Sequence, residues 1–120
     1  MYRQIKELWA KEIRRIPLLT PEESKELLIR IKNGDEQARK LFINRNLRLV
    51  IKCAQQHQGK GVDFLDLIQE GNIGLIKAIN KFDVTLGFRF STYALYWIRQ
   101  SIMRALSGTA RIIRIPVHAT

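Results

Sequence analysis

Aromatic side chains and arginines are concentrated near the carboxyl-terminal end of this chain of 120 residues. Residues 88–97 hold five of its ten aromatic side chains, and residues 84–120 hold five arginines and no aspartate or glutamate. Arginine attracts phosphate, and an aromatic ring offers a face on which an unpaired base stacks. This composition is typical of a surface that binds single-stranded nucleic acid.

The helix expected to carry this cluster begins near Ser91 or Thr92, either of which can cap it, and ends near residues 107–108. Residues 111–116 then form a basic, β-branched tail. The residue before Pro116 is biased toward extended backbone, so we expect the tail to leave the helix as a connector.

The two sides of this helix differ in chemistry. One side is aliphatic at a spacing of three and four residues, and it consists of Leu95, Ile98, Ile102 and Leu106. The opposite side is aromatic and polar, and it consists of Tyr93, Tyr96, Trp97, Gln100 and Arg104, with Met103 at its edge. Most aromatic clusters belong to a core, but the aliphatic stripe already occupies the buried side here. We therefore interpret the aromatic side as a nucleic-acid surface.

A group of acidic and polar side chains lies on the preceding helix, predicted from Phe64 to about Phe82 behind a cap at Asp63. Asp66 and Glu70 are i, i+4 neighbours that repel one another unless a positive charge lies opposite. The helix N-terminal dipole can explain Asp63 and Asp66, but Glu70 lies beyond the first turn, where a basic partner surface is the better explanation. We call this side the acidic face, and it consists of Leu65, Asp66, Gln69, Glu70, Asn72 and Ile76.

Bulk composition narrows the classes of function. A net charge of +10 and a pI near 10.3 point to a polyanionic partner, and 46% hydrophobic residues argue against disorder. Cys53 is the single cysteine, which fits a reducing, cytoplasmic setting, and His57 and His118 are too far apart to form a metal-ligand cluster. We expect no catalytic site, metal or cofactor. No apolar run approaches the roughly 18 residues of a membrane span, so no membrane association is expected.

Apolar spacing at three and four residues continues throughout the chain, and no alternating stretch is long enough to predict a strand. We expect an all-α, compact domain of about five main helices. The first covers residues 2–14. The second follows a capping box at residues 20–23, and the third runs from Asp35 to about Gln56. The two helices described above complete the set.

Several long stretches resemble region 2 of bacterial sigma factors of the housekeeping, or sigma-70, type. Among them are Phe-Leu-Asp-Leu-Ile-Gln-Glu-Gly-Asn-Ile-Gly-Leu and Phe-Ser-Thr-Tyr-Ala. The matching stretches are residues 46–50, 64–75, 90–94, 97–100 and 113–118.

The upstream part of the chain extends this resemblance, because residues 16–23 are similar to region 1.2. The resemblance implies that residues 1–34 correspond to region 1.2 and residues 35–115 to region 2, while residues 116–120 begin the connection to region 3. Because regions 3 and 4 are absent, we expect the chain to be a fragment of a longer factor.

The resemblance implies two macromolecular partners. In that family, region 2 is helical, binds the coiled-coil clamp helices of the RNA polymerase β′ subunit, and recognises the minus-ten promoter element while the duplex opens. The polymerase contact then falls on the acidic face. Arginines on the β′ helices would pair with Asp66 and Glu70, which explains why so basic a chain keeps acids there. An anti-sigma factor or another regulatory protein is a further partner compatible with the family.

The resemblance assigns the promoter contacts, on the non-template strand, to the aromatic side of the last helix and its surroundings. The predicted pocket for the flipped adenine at the second hexamer position consists of Phe88, Phe90, Ser91, Thr92 and Tyr93, with Arg89 in the same DNA-binding set. Tyr96 and Trp97 would form the wedge that replaces this base in the stack, a place where the family usually has a Trp-Trp pair. Gln100, Met103 and Arg104 would lie at the upstream edge, where many primary members have Thr instead of Met103.

Two further groups complete the predicted DNA-binding residues. The flipped last base of the hexamer would be taken by Asn46 and Leu49 with Ala10 and Lys11. Upstream phosphates would be held by Arg111, Arg114 and His118.

A helix-turn-helix regulator of intact duplex DNA is the main alternative, since such a protein is also basic and helical. Its recognition helix would present polar side chains to base edges in the major groove, whereas this chain presents bulky aromatic side chains that suit unstacked bases. Equal affinity for closed duplex and for the melted strand would favour that alternative.

Overall fold

The structure is a computed structural model that describes residues 17–119, with side chains described for residues 17–108. Over these residues all regular structure is helical and no strand is present, so the predicted all-α class is confirmed. The helices are α1 (Pro21–Lys32), α2 (Glu36–Arg45), α3 (Leu47–Gln56), α4 (Phe64–Lys81), a 3-10 helix (Val84–Leu86) and α5 (Phe90–Ala119). The helix predicted over residues 2–14 lies outside the described residues. None of the helices described combines the length and apolar character that a membrane span requires.

The predicted capping box at the start of α1 is confirmed. The Thr20 hydroxyl accepts a hydrogen bond from the Glu23 backbone N–H at 3.1 Å, and the Glu23 carboxylate accepts one from the Thr20 backbone N–H at 2.9 Å. These bonds satisfy two backbone donors that the first helical turn leaves free. They also favour the charged carboxylate, so hydrogen bonds from the Thr20 backbone and side chain lower the pKa of Glu23.

The continuous helix predicted from Asp35 to Gln56 is wrong, because the chain forms two helices that meet at Asn46. The Asn46 side-chain amide donates a hydrogen bond to the Phe42 carbonyl oxygen at 2.8 Å, and the Asn46 backbone N–H donates to the same oxygen. An asparagine side chain that binds the preceding turn in this way competes with helix continuation. Residue pattern alone does not reveal the break, since the apolar spacing continues across it.

The chain forms two compact units, one ending at Arg48 and the other beginning at Leu49. In the first unit α1 and α2 pack together around buried apolar side chains, and Asp35 caps α2 by accepting from the Ala38 N–H at 3.0 Å. Asp35 also pairs with the Arg30 guanidinium at 2.9 Å. The hydrogen bond from Ala38 and that from Arg30 together lower the pKa of Asp35. The buried apolar residues of α1 and α2 are Leu27, Leu28, Ala38 and Phe42.

The second unit is organised by close packing of α4 against α5, and two glycines of α4 permit it. A Cβ atom on Gly74 would lie 2.4 Å from the Trp97 carbonyl oxygen and 2.8 Å from Ile98 Cα. A Cβ atom on Gly71 would lie 2.7 Å from a methyl group of Val50, on α3. Position 74 therefore requires glycine for contact between the helices, whereas a side chain at Gly71 would require the Val50 methyl group to shift.

The aliphatic stripe of α5 is buried at its centre. Ile98 and Ile102 are fully buried, and such burial stabilises the fold by roughly 1.5–3 kcal/mol per side chain. Leu95 and Leu106, the other two predicted members, are only half-buried, whereas Ala94 is fully buried. The buried side is thus rotated slightly from the predicted one, toward the glycines of α4.

The start of α5 lies within two residues of the predicted one, but the predicted caps and the predicted end are wrong. The helix begins at Phe90, with the Tyr93 N–H donating to the Arg89 carbonyl, so Ser91 and Thr92 lie in its first turn and do not cap it. It also continues through Gly108 to Ala119, so the expected connector is helical. The residues around Gly108 are good helix formers such as alanine, leucine and arginine, which offset the modest cost of one glycine.

Cys53 is buried in α3, and this burial raises the pKa of its thiol, although the positive charges of Arg99 and Lys52 act in the opposite direction. The thiol is therefore neutral in the folded protein near pH 7. Because the folded state holds the thiol proton more tightly than the unfolded state does, the protonated thiol adds to the free energy of unfolding. This contribution is complete below the ordinary thiol pKa of about 8.5 and is lost as pH rises through the pKa of the folded state.

Two measurements check this behaviour of Cys53. We expect a thiol reagent such as DTNB to react slowly with the folded protein at pH 8 and rapidly after unfolding. In urea titrations between pH 8 and pH 10, wild type should lose stability more steeply than Cys53→Ala. Equal slopes would show that the raised thiol pKa contributes nothing to stability.

Candidate nucleic-acid and protein interfaces

The loop before α5 is shaped by Asp83 and Gly87. The Asp83 carboxylate accepts hydrogen bonds from the Thr85 N–H at 2.9 Å and from its hydroxyl at 2.6 Å, which stabilise the 3-10 turn. Gly87 then adopts a φ of 79°, a left-handed conformation that favours glycine. Phe88 follows directly, and 66% of that residue is exposed.

An open pocket of about 450 Å³ lies where this loop meets the first turn of α5. Its lining brings together an aromatic ring, a guanidinium, a hydroxyl and a phenol. The lining residues are Gly87, Phe88, Arg89, Thr92 and Tyr93. Four of them belong to the predicted DNA-binding set, and Gly87 is an addition to it.

The other two predicted pocket residues do not line this pocket. Phe90 is 5% exposed and packs edge-to-face on Phe82, with ring centroids 5.3 Å apart, so it supports the pocket from the core. Ser91 is exposed on the outer side of the first turn. The observed lining differs from the predicted one because α5 starts at Phe90. A helical first turn points the Phe90 side chain into the core and the Ser91 side chain away from the pocket.

A row of aromatic rings continues from the pocket along α5. Tyr93 packs against Phe82, with centroids 5.2 Å apart, and its ring lies 6.3 Å from that of Trp97. Tyr96 meets Trp97 nearly at right angles, at 5.6 Å and 85°. Tyr96 is 57% exposed and Trp97 is half-buried, so the row ends in the exposed ring of Tyr96.

Lys81, the last residue of α4, was missed by sequence reasoning, yet its Nζ lies 5.3 Å from the centroid of the Trp97 ring. In the sequence, its charge does not distinguish Lys81 from the other lysines of the chain. Its place beside an aromatic ring is visible only once α4 packs on α5.

The predicted upstream edge lies on the next turn of α5. Gln100, Met103 and Arg104 are all exposed and recur at i, i+3 and i+4, so they share one surface strip. The strip combines an amide, a thioether and a guanidinium, which can contact base edges and phosphate.

The predicted site for the last hexamer base is described only in part. Asn46 and Leu49 are both half-buried, and the Asn46 amide is engaged with the backbone of α2. Ala10 and Lys11 lie outside the described residues. The phosphate-binding candidates Arg111, Arg114 and His118 fall on the end of α5, where side chains are not described.

The acidic face occupies the solvent side of α4. Leu65, Asp66, Gln69 and Ile76 are exposed, whereas Glu70 and Asn72 are half-buried. Ile73 is 47% exposed and was missed, although it lies one turn from both Gln69 and Ile76. Asp66 and Glu70 form no ion pair with any side chain of residues 17–108. Asp63 occupies the N-cap position but makes no side-chain capping bond.

The two faces therefore offer different chemistry on adjacent helices of one unit. The α4 surface is acidic with exposed aliphatic side chains, and the α5 surface is aromatic and basic. No group of three or more metal-ligating side chains occurs in the described part of the chain.

Comparison with known families defines the class of protein. The model of Sigma-70 region 2 matches residues 42–112, and the model of Sigma-70 factor, region 1.2, matches residues 11–37. The chain belongs to the sigma-70 family, as the resemblance in its sequence predicted.

Curated relatives narrow the similarity further. The chain is 60% identical over 111 residues to RNA polymerase sigma factor SigA of Clostridium acetobutylicum, and 57% identical over 111 residues to RNA polymerase sigma factor SigA of a Bacillus species. Each match covers 92% of this chain and 29% of the relative. The chain thus spans less than a third of the length of these relatives.

Proposed function

We propose that this chain is the part of a bacterial sigma factor that binds core RNA polymerase through α4 and captures unpaired bases of the minus-ten promoter element on α5. The observation that carries the proposal is the pocket at the start of α5, where Phe88, Arg89, Thr92 and Tyr93 converge. An aromatic face, a phosphate-binding cation and hydroxyl groups are what a single base with its backbone requires.

Stacking energies make this mode of recognition reasonable. Removing one base from a duplex costs a few kcal/mol, and each base stacked on an aromatic side chain returns about 1–3 kcal/mol. Two captured bases therefore roughly balance local opening without ATP. In this proposal Phe88 and Tyr93 hold the adenine of the second hexamer position, and Tyr96 with Trp97 fills the gap it leaves.

Sequence specificity follows from hydrogen-bonding groups beside the rings. Thr92 and Tyr93, which line the pocket, carry a hydroxyl and a phenol, and base edges become accessible to such groups only after pairing is lost. Arg89 would contact the backbone phosphate. Gln100, Met103 and Arg104 would contact the element at its upstream edge.

The acidic face is the proposed polymerase surface. Asp66 and Glu70 have no cation of their own among the described residues, and the exposed Leu65, Ile73 and Ile76 supply apolar area beside them. A basic coiled-coil such as the β′ clamp helices satisfies both requirements, since arginines pair with the acids while aliphatic side chains pack between them.

The remaining assignments belong to the same proposal. They are the division into region 1.2 over residues 1–34, region 2 over residues 35–115 and a following connection, a bacterial cytoplasmic location, and regulation by an anti-sigma or similar protein. Contacts to the last hexamer base by Ala10, Lys11, Asn46 and Leu49, and to phosphates by Arg111, Arg114 and His118, complete the proposed DNA path.

The test measures binding of the chain, with and without a β′ clamp-helix fragment, to single-stranded minus-ten oligonucleotides varied base by base. We expect tighter binding to the non-template strand than to its complement or to closed duplex, and a further gain with the fragment. Equal affinity for duplex and single strand would instead support a helix-turn-helix regulator.

Phe88→Ala is expected to weaken binding to the single-stranded element by about 1–3 kcal/mol, because it removes one stacking face. The side chain is exposed, so the melting temperature should stay near that of wild type. Leu86→Ala is the matched control, since Leu86 is 62% exposed in the same loop but does not line the pocket. Equal losses in the two variants would contradict the pocket assignment.

A further inference from the structure

Trp97 lacks a polar anchor for its indole. Its Nε1 atom is buried and has no hydrogen-bond partner within the described residues. A buried indole N–H usually finds an acceptor. The orientation of this ring therefore depends on the groups that touch its faces and edges.

Three side chains approach the ring. Tyr93 and Tyr96 lie 6.3 Å and 5.6 Å from it, measured between ring centroids, and the Lys81 ammonium lies 5.3 Å from its centroid. Lys81 is the only one of the three on α4, whereas both tyrosines move with α5 itself. Lys81 thus joins the indole to a second helix.

We infer that Lys81 is a positioning residue for single-strand capture, whose ammonium orients the Trp97 indole through a cation–π contact. This inference rests on the proposed function of α5. Tyr96 packs perpendicular to the same indole, so the orientation of Trp97 also sets that of the exposed Tyr96. Holding the pair in one geometry before nucleic acid arrives lowers the cost of ordering it on binding.

Two simpler roles for Lys81 need to be separated from this one. A lysine in the last turn of a helix stabilises the helix C-terminus, and an exposed ammonium can also bind a phosphate directly. The first role changes stability alone. The second changes nucleic-acid affinity without altering the indole of the free protein.

The experiment uses the full chain with Trp9→Phe, so that Trp97 is the single tryptophan. Emission and acrylamide quenching of Trp97 are measured without nucleic acid, and affinity is measured with the single-stranded minus-ten oligonucleotide. Lys81→Met keeps the aliphatic stem and removes the charge, Lys81→Arg restores a cation, and Lys40→Met is the control at an exposed lysine of α2.

We expect Lys81→Met to shift the emission and increase the quenching of Trp97 and to weaken oligonucleotide binding two- to fivefold relative to Lys40→Met. That range corresponds to a cation–π contact of about 0.5–1 kcal/mol, at tenfold per 1.4 kcal/mol. Lys81→Arg should restore both signals, since guanidinium also stacks on indole. Restored affinity with unrestored emission would overturn the inference.

A double-mutant cycle decides between orientation and direct phosphate binding. If Lys81 acts through the indole, Lys81→Met should cost little affinity in a Trp97→Leu background. The same loss in both backgrounds, or unchanged Trp97 emission in Lys81→Met, would overturn the inference. Because emission is read without nucleic acid, a chain that fails to bind the oligonucleotide at all would refute the proposed function separately.

Discussion

Glu70→Lys is expected to weaken binding of the chain to a β′ clamp-helix fragment by about 2–5 kcal/mol, which is at least about thirtyfold in affinity. The substitution removes a carboxylate that has no ion-pair partner in the described part of its own chain and replaces it with a cation facing a basic partner. A lost attraction and a new repulsion then act together. Isothermal titration with the fragment measures the effect directly.

Glu26→Lys is the matched control for this prediction, because Glu26 is an exposed acid of α1 and the change in net charge is identical. Glu26→Lys should bind the fragment as wild type does, and both variants should keep the wild-type melting temperature. If Glu70→Lys also binds normally, α4 is not the polymerase surface and that part of the proposed function fails.

Gly74→Ala is expected to destabilise the second unit by an amount at or above the upper end of the roughly 1–3 kcal/mol typical of overpacking. The added methyl group would lie 2.4 Å from the Trp97 carbonyl oxygen and 2.8 Å from Ile98 Cα. Both are backbone atoms on the buried side of α5, so they cannot rotate aside as a side-chain end does. Relief requires α4 and α5 to separate, which exposes apolar surface along their contact.

Urea unfolding of three glycine variants tests this explanation. Gly108→Ala should stabilise α5 by up to about 1 kcal/mol, because a Cβ there meets nothing within 4 Å and alanine favours a helix. The free energy of unfolding of Gly71→Ala should lie between those of Gly74→Ala and Gly108→Ala, since the atom nearest to the added Cβ is a Val50 methyl group that can shift. A Gly74→Ala variant as stable as wild type would mean that α4 and α5 are not in such close contact.

Gly74 also links stability to the candidate site. Its contact is with the backbone of Trp97, a member of the aromatic row, so separation of the helices also displaces the indole from Lys81. Gly74→Ala should therefore alter Trp97 emission in the folded protein, at urea concentrations below the unfolding transition. A change in stability with unaltered emission would restrict the effect of Gly74 to packing.

Features set by neighbouring residues were predictable from the sequence. The capping box of Thr20 and Glu23, the cap at Asp35 and the all-helical pattern depend on interactions within one or two turns, and the structure shows each of them. The acidic face was predictable for the same reason, since helical spacing places Asp66, Gln69 and Ile76 on one exposed side.

Features that depend on competition between local and distant contacts were not predictable in this way. The break at Asn46 depends on one side-chain rotamer that binds the Phe42 carbonyl, and apolar periodicity contains no sign of it. The burial of Phe90 depends on where α5 begins and on a Phe82 ring contributed by another segment. A capping preference at Ser91 or Thr92 is a weak local term that this packing overrides.

Residue order alone thus specifies the family, the helical class and the chemistry of the two faces, because motif matches and helical periodicity are properties of short segments. The pocket at Gly87 and Tyr93, and the contact between Lys81 and Trp97, exist only after α4 and α5 pack together. Close approach at Gly74 brings residues 16 positions apart, Lys81 and Trp97, onto one surface, and no local pattern encodes that distance.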